Sequence, residues 1–340
     1  MIPLTADSLG TVQQLLSHVR QTVAPAHRAA IDSLPEPLRH IAGYHAGWWS
    51  SSGEPELGGG KTLRPALVLA SASAVGGAPM SAVREAVAVE LVHDFSLLHD
   101  DIMDGDATRR HRPAAWTLFG IGAAMLTGDA MQALACDLLA GHTGIKVLTT
   151  TLTRLYTGQS ADLDFERRMD VSLAECMAMP AGKTGALLAC ACELGALAGG
   201  ADSQRCALLA EFGMHLGLSF QFADDVLGIW GDPAVTGKPV YSDLARRKKS
   251  LPVVAALTSG TRFSNELTEL YRRPHDSDND NDNLAHLAAL IDAAGGREFA
   301  LHEADRQLRD ALACLEAAAP SPVAAADAVA LTYLITRRDH

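Results

Sequence analysis

Apolar residues recur every three or four positions through long stretches of the chain, as in "REAVAVELVHDFSLLHD" (84–100) and "CALLAEFGMHLGLSFQFADD" (206–225). Such a period predicts helices, whereas the apolar–polar alternation of half-buried strands is scarce. Alanine and leucine, both strong helix formers, dominate the apolar positions. Breaks rich in glycine, proline and serine at 50–61, 76–79, 141–144, 199–203 and 231–239 divide the pattern. They imply roughly ten helices. None of the breaks is long enough for a domain linker, and no fixed-length repeat recurs, which disfavours a solenoid. The pattern therefore predicts an all-α protein folded as a single-domain helical bundle over residues 1–340. One polar stretch, "HDSDNDNDN" (275–283), predicts a flexible surface loop at 274–284. Its D-x-D-x-D start resembles a calcium loop, but Asn281 and Leu287 stand where glycine and glutamate are needed.

Composition narrows the class. With 340 residues, 48% of them hydrophobic, the chain can bury a large core. A formal charge of -12 argues against a nucleic-acid partner, although a local basic patch can still bind a small anion. The six cysteines show no C-x-x-C spacing and no disulfide-scaffold density, which fits a reducing cytoplasm. The first twenty residues lack a basic start followed by an apolar run, and no uninterrupted 18-residue apolar stretch follows. Neither a signal peptide nor a membrane span is expected.

The unusual chemistry lies in "LLHDDIMDGDATRRHRP" (97–113), where four aspartates precede a pair of arginines. On a helix, Asp100 and Asp104 are one turn apart on one face with Asp101 beside them. Adjacent carboxylates repel and call for a cation. Mg²⁺ suits them, because it takes one or two carboxylates and fills its octahedron with water and phosphate oxygens. Taken alone, the cluster also reads as a solvated acidic helix end. A second cluster, "FQFADDVLGIWGD", places Asp224 and Asp225 on another helix with Gln221 on neighbouring faces. Two acidic helix faces could confront each other across a bundle interior, where metal sites are commonly built. Lys61, Arg64, Arg109, Arg110, Lys183, Lys238 and Lys248 accompany them. Each alone is a surface cation, but together with the aspartates they suit a diphosphate bridged by Mg²⁺ and held by charge-assisted hydrogen bonds.

From about Gly59 to Pro252 the sequence resembles the trans-isoprenyl diphosphate synthases, most closely those that make geranylgeranyl diphosphate. The resemblance rests on "GGKTLRP", "HDFSLLHDDIMD" followed by "RRHRP", "GKTG", "FQFADDVLG" and "GKPVYSDLARRKKSLP", in the family's order. It implies an all-α fold around a deep apolar cavity, a homodimer, and head-to-tail condensation of isopentenyl diphosphate with an allylic diphosphate. By the same resemblance Asp100, Asp104 and Asp224 hold three Mg²⁺ ions, and Asp101 supports the first cluster. Arg109, Lys183 and Lys238 contact the allylic diphosphate. Lys61, Arg64, His93 and Arg110 form the isopentenyl diphosphate site. Thr184 and Gln221 face the developing allylic cation, and Lys248 closes the phosphate site. Phe95 and Ser96, the fifth and fourth residues before the first aspartate, correspond to the floor beneath the growing chain. A lone aromatic at that pair resembles synthases of C20 products, with C15 the second choice.

Three positions depart from the family pattern: Thr62 replaces a basic residue, His111 replaces a glycine, and Gly228 stands where the second cluster has its third aspartate. Asp232 would lie two turns beyond Asp224 if the helix continued that far, and Asp243 reads equally as an ion-pair partner of Arg246 or Arg247 and, by its family counterpart, as a catalytic carboxylate. Arg337 and Arg338 read as a solvated tail. Two other functions compete: a terpene cyclase on the same fold, and an inactive regulatory subunit of a heterodimeric synthase. Lys61, Arg64, His93 and Arg110 argue against the cyclase, which needs no second anion site. The intact first cluster argues against the inactive subunit.

Overall fold

The computed structural model describes residues 6–56, 60, 62–236, 239–272 and 281–336. Lys61, Lys238, Arg337 and Arg338 lie outside the described residues, as do residues 274–280 of the expected loop. The described chain is helical almost throughout, which bears out the all-α expectation. In order come α1 (Ala6–Asp32), α2 (Leu38–His45), α3 (Leu63–Ala74), α4 (Val83–Met103), α5 (Ala115–Phe119), α6 (Ile121–Leu138) and α7 (Gly144–Arg167). Next are α8 (Leu173–Pro180), a π-helical turn (Ala181–Gly185), α9 (Ala186–Ala198), α10 (Ser203–Trp230), α11 (Pro233–Thr236) and α12 (Ser242–Ala245). The remainder are α13 (Leu251–Leu257), α14 (Arg262–Arg272), α15 (Asn281–Ala293), α16 (Gly296–Ala318) and α17 (Pro322–Thr336). The expected breaks at 76–79, 141–144 and 199–203 separate successive α-helices, whereas the break at 231–239 holds the four-residue α11 among its described residues. Residues 281–284, expected in a loop, instead begin α15, where Leu284 is buried with Leu287 and Ile291.

The chain divides into two compact units. The first comprises Met1–Leu152, Cys190–Ala210 and Glu316–Leu331; the second comprises Thr153–Ala189, Glu211–Leu315 and Thr332–His340. In the first, α4 is the central helix and packs against α1, α3 and α6. It buries side chains on most of its circumference, including Val89, Leu91, Val92, Phe95 and Leu98, as a helix without a solvent face must. It stops after Met103, where Gly105 takes a left-handed φ of 67°. A short hairpin follows, β1 (Thr108–Arg109) paired with β2 (Arg112–Pro113).

In the second unit, Phe165, Val171, Cys176, Phe222, Val226, Leu251 and Val254 form one apolar cluster. Ile229, Leu244, Val253, Leu267 and Ile291 form another. Leu173–Ala198 and Ser203–Trp230 are long and apolar enough on average to cross a bilayer, although neither is an uninterrupted apolar run. The most apolar stretches of the two are 61% and 44% buried within the protein.

Candidate active site

At the C-terminal end of α4, Asp100 is half-buried, Asp101 is buried, and Asp104 is exposed as the residue that caps the helix. The Asp104 N–H donates to the Asp100 carbonyl at 2.8 Å, so the two aspartates are separated by one turn as expected. Asp101 points the other way. Its Oδ1 accepts from Arg109 Nε at 2.8 Å and from Arg109 Nη2, while its Oδ2 is buried without a partner. Burial pushes the Asp101 carboxyl up and the Arg109 hydrogen bonds act against it. Arg109, expected on an allylic diphosphate, is thus already braced against the first cluster.

The hairpin turn carries the arginine pair. Arg110 and His111 have φ of 52° and 63°, the two left-handed positions of a two-residue hairpin turn. This accounts for the family's glycine where His111 stands, since an L side chain is strained there. His111→Gly is expected to raise stability by about 0.5–1 kcal/mol, read from the midpoint of denaturant unfolding. Thr62 has a φ of 49° just before α3. A basic residue there would meet the same backbone strain, so the backbone gives no reason for the departure.

A cavity of about 430 Å³ in the first unit is lined by Tyr44, His45, Glu56, Arg109, Arg110 and Arg112, among others. Arg112, which the motif comparison passed over, donates to the carbonyls of Tyr44 (3.1 Å) and Trp49 (2.8 Å) and pairs with Glu56 at 3.1 Å. It therefore shapes the wall. His45 was also missed. Burial, then Arg110, Arg109 and Arg112, lower it to about 3. Burial, followed by Arg64 and Arg110, likewise holds His93 well below its ordinary value. Both imidazoles are neutral beside the arginines. Burial outweighs the nearby Glu90 and Asp94 in lowering Arg64, whose Nε has no acceptor.

The second unit joins most of its candidate residues through hydrogen bonds. Lys183 and Thr184 sit on the π-helical turn after Pro180, an irregularity that often marks functional sites. Lys183 Nζ donates to Asp162 Oδ2 at 2.6 Å. Thr184 Oγ1 donates to Gln221 Oε1 at 3.0 Å, and Gln221 Nε2 donates to Asp225 Oδ1 at 3.1 Å. Lys248 Nζ reaches Asp225 Oδ1 at 3.1 Å and Asp243 Oδ2 at 3.3 Å. Asp225 Oδ2 accepts the Leu251 N–H at 3.1 Å. Burial raises Asp225 even against Lys248, while the two carboxylates overcome burial to raise Lys248. With both oxygens engaged, Asp225 is a buried brace. Asp224 is the half-buried member of the pair.

Three expectations around the second cluster change. The helix ends at Trp230, so Asp232 does not continue the Asp224 face; it accepts the Ala234 N–H at 2.8 Å. Asp243 pairs with Lys248. Gly228 leaves room for the Asp243 side chain, because a Cβ there would stand 2.5 Å from Asp243 Cγ and the carboxylate would have to shift. The space an aspartate at 228 would enter is thus filled by the carboxylate of Asp243. Asp162 was missed because its meaning comes only from Lys183, twenty-one positions away. Gln159, buried with both amide atoms unpartnered, was missed likewise; both belong to "GQSAD" in α7.

A second cavity, about 460 Å³, lies in the second unit and includes Thr157, Ala161, Phe165, Met179 and Met214. None of Lys183, Thr184, Gln221, Asp224 or Lys248 lines it, so its size does not make it the site. Among the described residues no three His, Cys, Asp or Glu side chains form a ready-made metal cluster. Paired carboxylates one turn apart, with one half-buried and the other exposed, still fit Mg²⁺, whose coordination is completed by water and phosphate.

The Polyprenyl synthetase family pattern matches residues 51–288. The chain belongs to this family. It is 44% identical to the geranylgeranyl diphosphate synthase of Mycobacterium tuberculosis across 100% of this chain and 99% of the relative. It is also 44% identical to the (2E,6E)-farnesyl diphosphate synthase of Mycobacterium bovis, across 86% and 84% of the two chains. The crystal structure of a polyprenyl synthetase from Streptomyces coelicolor A3(2) superposes with a TM-score of 0.90 at 45% identity, covering 96% of this chain and 100% of that one. The polyprenyl synthetase match spans both aspartate clusters and the arginine hairpin.

Proposed function

We propose that this polyprenyl synthetase is a prenyltransferase that condenses isopentenyl diphosphate head-to-tail with allylic diphosphates, ending mainly at geranylgeranyl diphosphate. The full-length likeness to a geranylgeranyl diphosphate synthase carries the reading. The 44% identity to a farnesyl diphosphate synthase makes C15 the second choice. Neither relative is named as a cyclase or a regulatory subunit, and the retained acidic and basic motifs do not favour those alternatives.

Asp100, Asp104 and Asp224 would hold Mg²⁺, three ions by family resemblance, which when bound neutralises charge on a departing diphosphate. Lys183, Lys238 and Arg109 bind that diphosphate, and Lys248 supports its site. Asp162 and Asp101 orient Lys183 and Arg109 through the bonds described above. Lys61, Arg64, His93 and Arg110 bind isopentenyl diphosphate. Its double bond attacks the allylic carbon as the carbon–oxygen bond to diphosphate breaks. Loss of a proton to the departing diphosphate then restores neutrality, leaving a chain five carbons longer. Thr184 and Gln221 stabilise the developing cation through oriented dipoles, and apolar walls exclude water.

The two units act as one catalytic domain in this proposal, in the cytoplasm and without a membrane span. A homodimer is supported by the exposed apolar side chains of Leu118, Ile121, Met125 and Leu126 on α5 and α6. Such a concentration on a monomer marks an association surface.

Phe95 and Ser96, 1% and 9% exposed on α4, form the chain-length floor. Phe95 also meets the His99 ring edge-on at 5.5 Å, while His99 Nε2 lies 3.1 Å from the Met125 carbonyl. Purified protein given Mg²⁺, isopentenyl diphosphate and separate C5, C10 and C15 allylic diphosphates is expected to yield C20 product. Chromatography after dephosphorylation should show longer products for Phe95→Ala and a shift towards C15 for Ser96→Phe. A helical turn, about 5.4 Å, is close to one isoprene unit, so a change at this level moves the product by a discrete step. An unchanged distribution in both variants removes Phe95 and Ser96 from the floor.

A further inference from the structure

In the second unit the stretch 239–250 carries Asp243 and Lys248, and its backbone is held at angles that side chains resist. Tyr241 and Arg247 have φ of 64° and 52°, so left-handed residues stand on both sides of the four-residue α12. Neither is glycine, which takes such angles without strain. A strained backbone persists only where its surroundings fix it, and such positions gather at functional sites. At Arg247 the fixing contacts are plain. Its N–H donates to the Leu244 carbonyl at 3.0 Å, and the N–H of Lys248 donates to the Asp243 carbonyl at 3.0 Å. The Arg247 side chain reaches α14, where Nη1 donates to the Leu270 carbonyl at 2.8 Å and the guanidinium lies 5.2 Å from the centre of the Tyr271 ring. Tyr271 is buried with Leu244, Leu267 and Ile291, and its hydroxyl has no hydrogen-bond partner. Its ring face makes the contact.

We infer that Arg247 is a positioning residue for the allylic diphosphate site: latched to Leu270 and Tyr271 on α14, it fixes the neighbouring Lys248. The inference rests on the reading of Lys248 as part of that site. One end of Lys248 is set by the backbone at 247, and the other by the carboxylates of Asp225 and Asp243, at 3.1 and 3.3 Å from Nζ. Helix α12 cannot supply that rigidity, because four residues hold too few internal hydrogen bonds to stand alone. The anchor is α14. Its Leu267 and Tyr271 are buried in the same apolar cluster as Ile291 of α15, so the latch ties the strained stretch to a packed core. With the latch released, the backbone at 247 relaxes and Lys248 gains freedom that a bound diphosphate must then remove, which weakens binding. Arg64, His93 and Arg110, proposed for isopentenyl diphosphate, belong to the first unit. Affinity for that substrate is therefore not expected to follow.

Calorimetric titration of the whole protein with the C10 allylic diphosphate, in Mg²⁺ and without isopentenyl diphosphate, tests this beside the KM for each substrate. Arg247→Gly is the main variant, because glycine accepts a φ of 52° unstrained and only the latch is lost. It should bind the allylic diphosphate roughly tenfold more weakly, the scale of one charge-assisted hydrogen bond. The KM for that substrate should rise alike, while the KM for isopentenyl diphosphate stays within about twofold. Arg247→Lys, which keeps a cation for the Leu270 carbonyl, should recover most of the loss. Tyr271→Leu should weaken allylic binding in the same direction, and Tyr271→Phe, which restores the ring, should recover it. Arg247→Gly combined with Tyr271→Leu should bind no more weakly than Arg247→Gly alone, since both cut one latch. Lys248→Met separates the two ways to fail. If it leaves allylic affinity unchanged, the placement of Lys248 in the site falls and the inference with it. If it weakens binding while Arg247→Gly does not, the reading of Lys248 stands and the role of Arg247 is overturned. Additive latch variants, or a KM that rises equally for both substrates, overturn that role too. Should Arg247→Gly not fold, the comparison of Tyr271→Leu with Tyr271→Phe carries the same decision.

Discussion

Asp100→Ala and Asp224→Ala are each expected to reduce turnover by at least about a hundredfold, the loss typical of removing a principal electrostatic stabiliser. Asp100 is half-buried near the end of α4, and Asp224 is half-buried in α10 beside the fully engaged Asp225. Neither truncation empties an apolar core position, so both variants should keep their helical circular dichroism and unfolding midpoint. Steady-state assays with saturating isopentenyl and allylic diphosphates, titrated with Mg²⁺, give the comparison. Near-wild-type turnover by both variants at saturating Mg²⁺ would remove the metal-holding role from these clusters.

Asp225→Ala should instead act on the fold, with a loss of about 2–3 kcal/mol in unfolding free energy. It strips an acceptor from half-buried Lys248, from Gln221 and from the Leu251 N–H. Breaking a fully buried pair by removing one partner typically costs about 3–5 kcal/mol, and water reaching the one-third-exposed Lys248 ammonium lowers that cost here. Asp243 still bonds Lys248 at 3.3 Å, which places the expectation at the lower end. Adding Lys248→Met to Asp225→Ala should recover part of the loss, since it removes the stranded charge. If urea unfolding shows no recovery, the cost lies in the Gln221 and Leu251 bonds instead.

Gly228 shows how a departure from family pattern can mislead. Read along the chain, it is a missing carboxylate on the Asp224 face. In three dimensions the Asp243 carboxylate occupies the adjoining space and bonds Lys248. Restoring aspartate at 228 would force the Asp243 side chain to move. Helix α12, which carries Asp243, is only four residues long and has no period to read.

By itself the sequence determined the helical class, the main breaks and the family. These depend on local period, on glycine and proline, and on motif residues adjacent in the chain. Asp100 and Asp104 were legible as one face because 3.6 residues per turn places them there. The π-helical turn under Lys183, the left-handed φ at Arg110 and His111, and the start of α15 at Asn281 were not. Only the tertiary structure decided that Asp162 holds Lys183, that Asp225 is a brace, and that Asp94 lies buried against His27. Each of those facts is a contact between side chains distant in sequence. Its energy comes from desolvation and hydrogen bonding at the meeting point, which leaves no periodic trace along the chain.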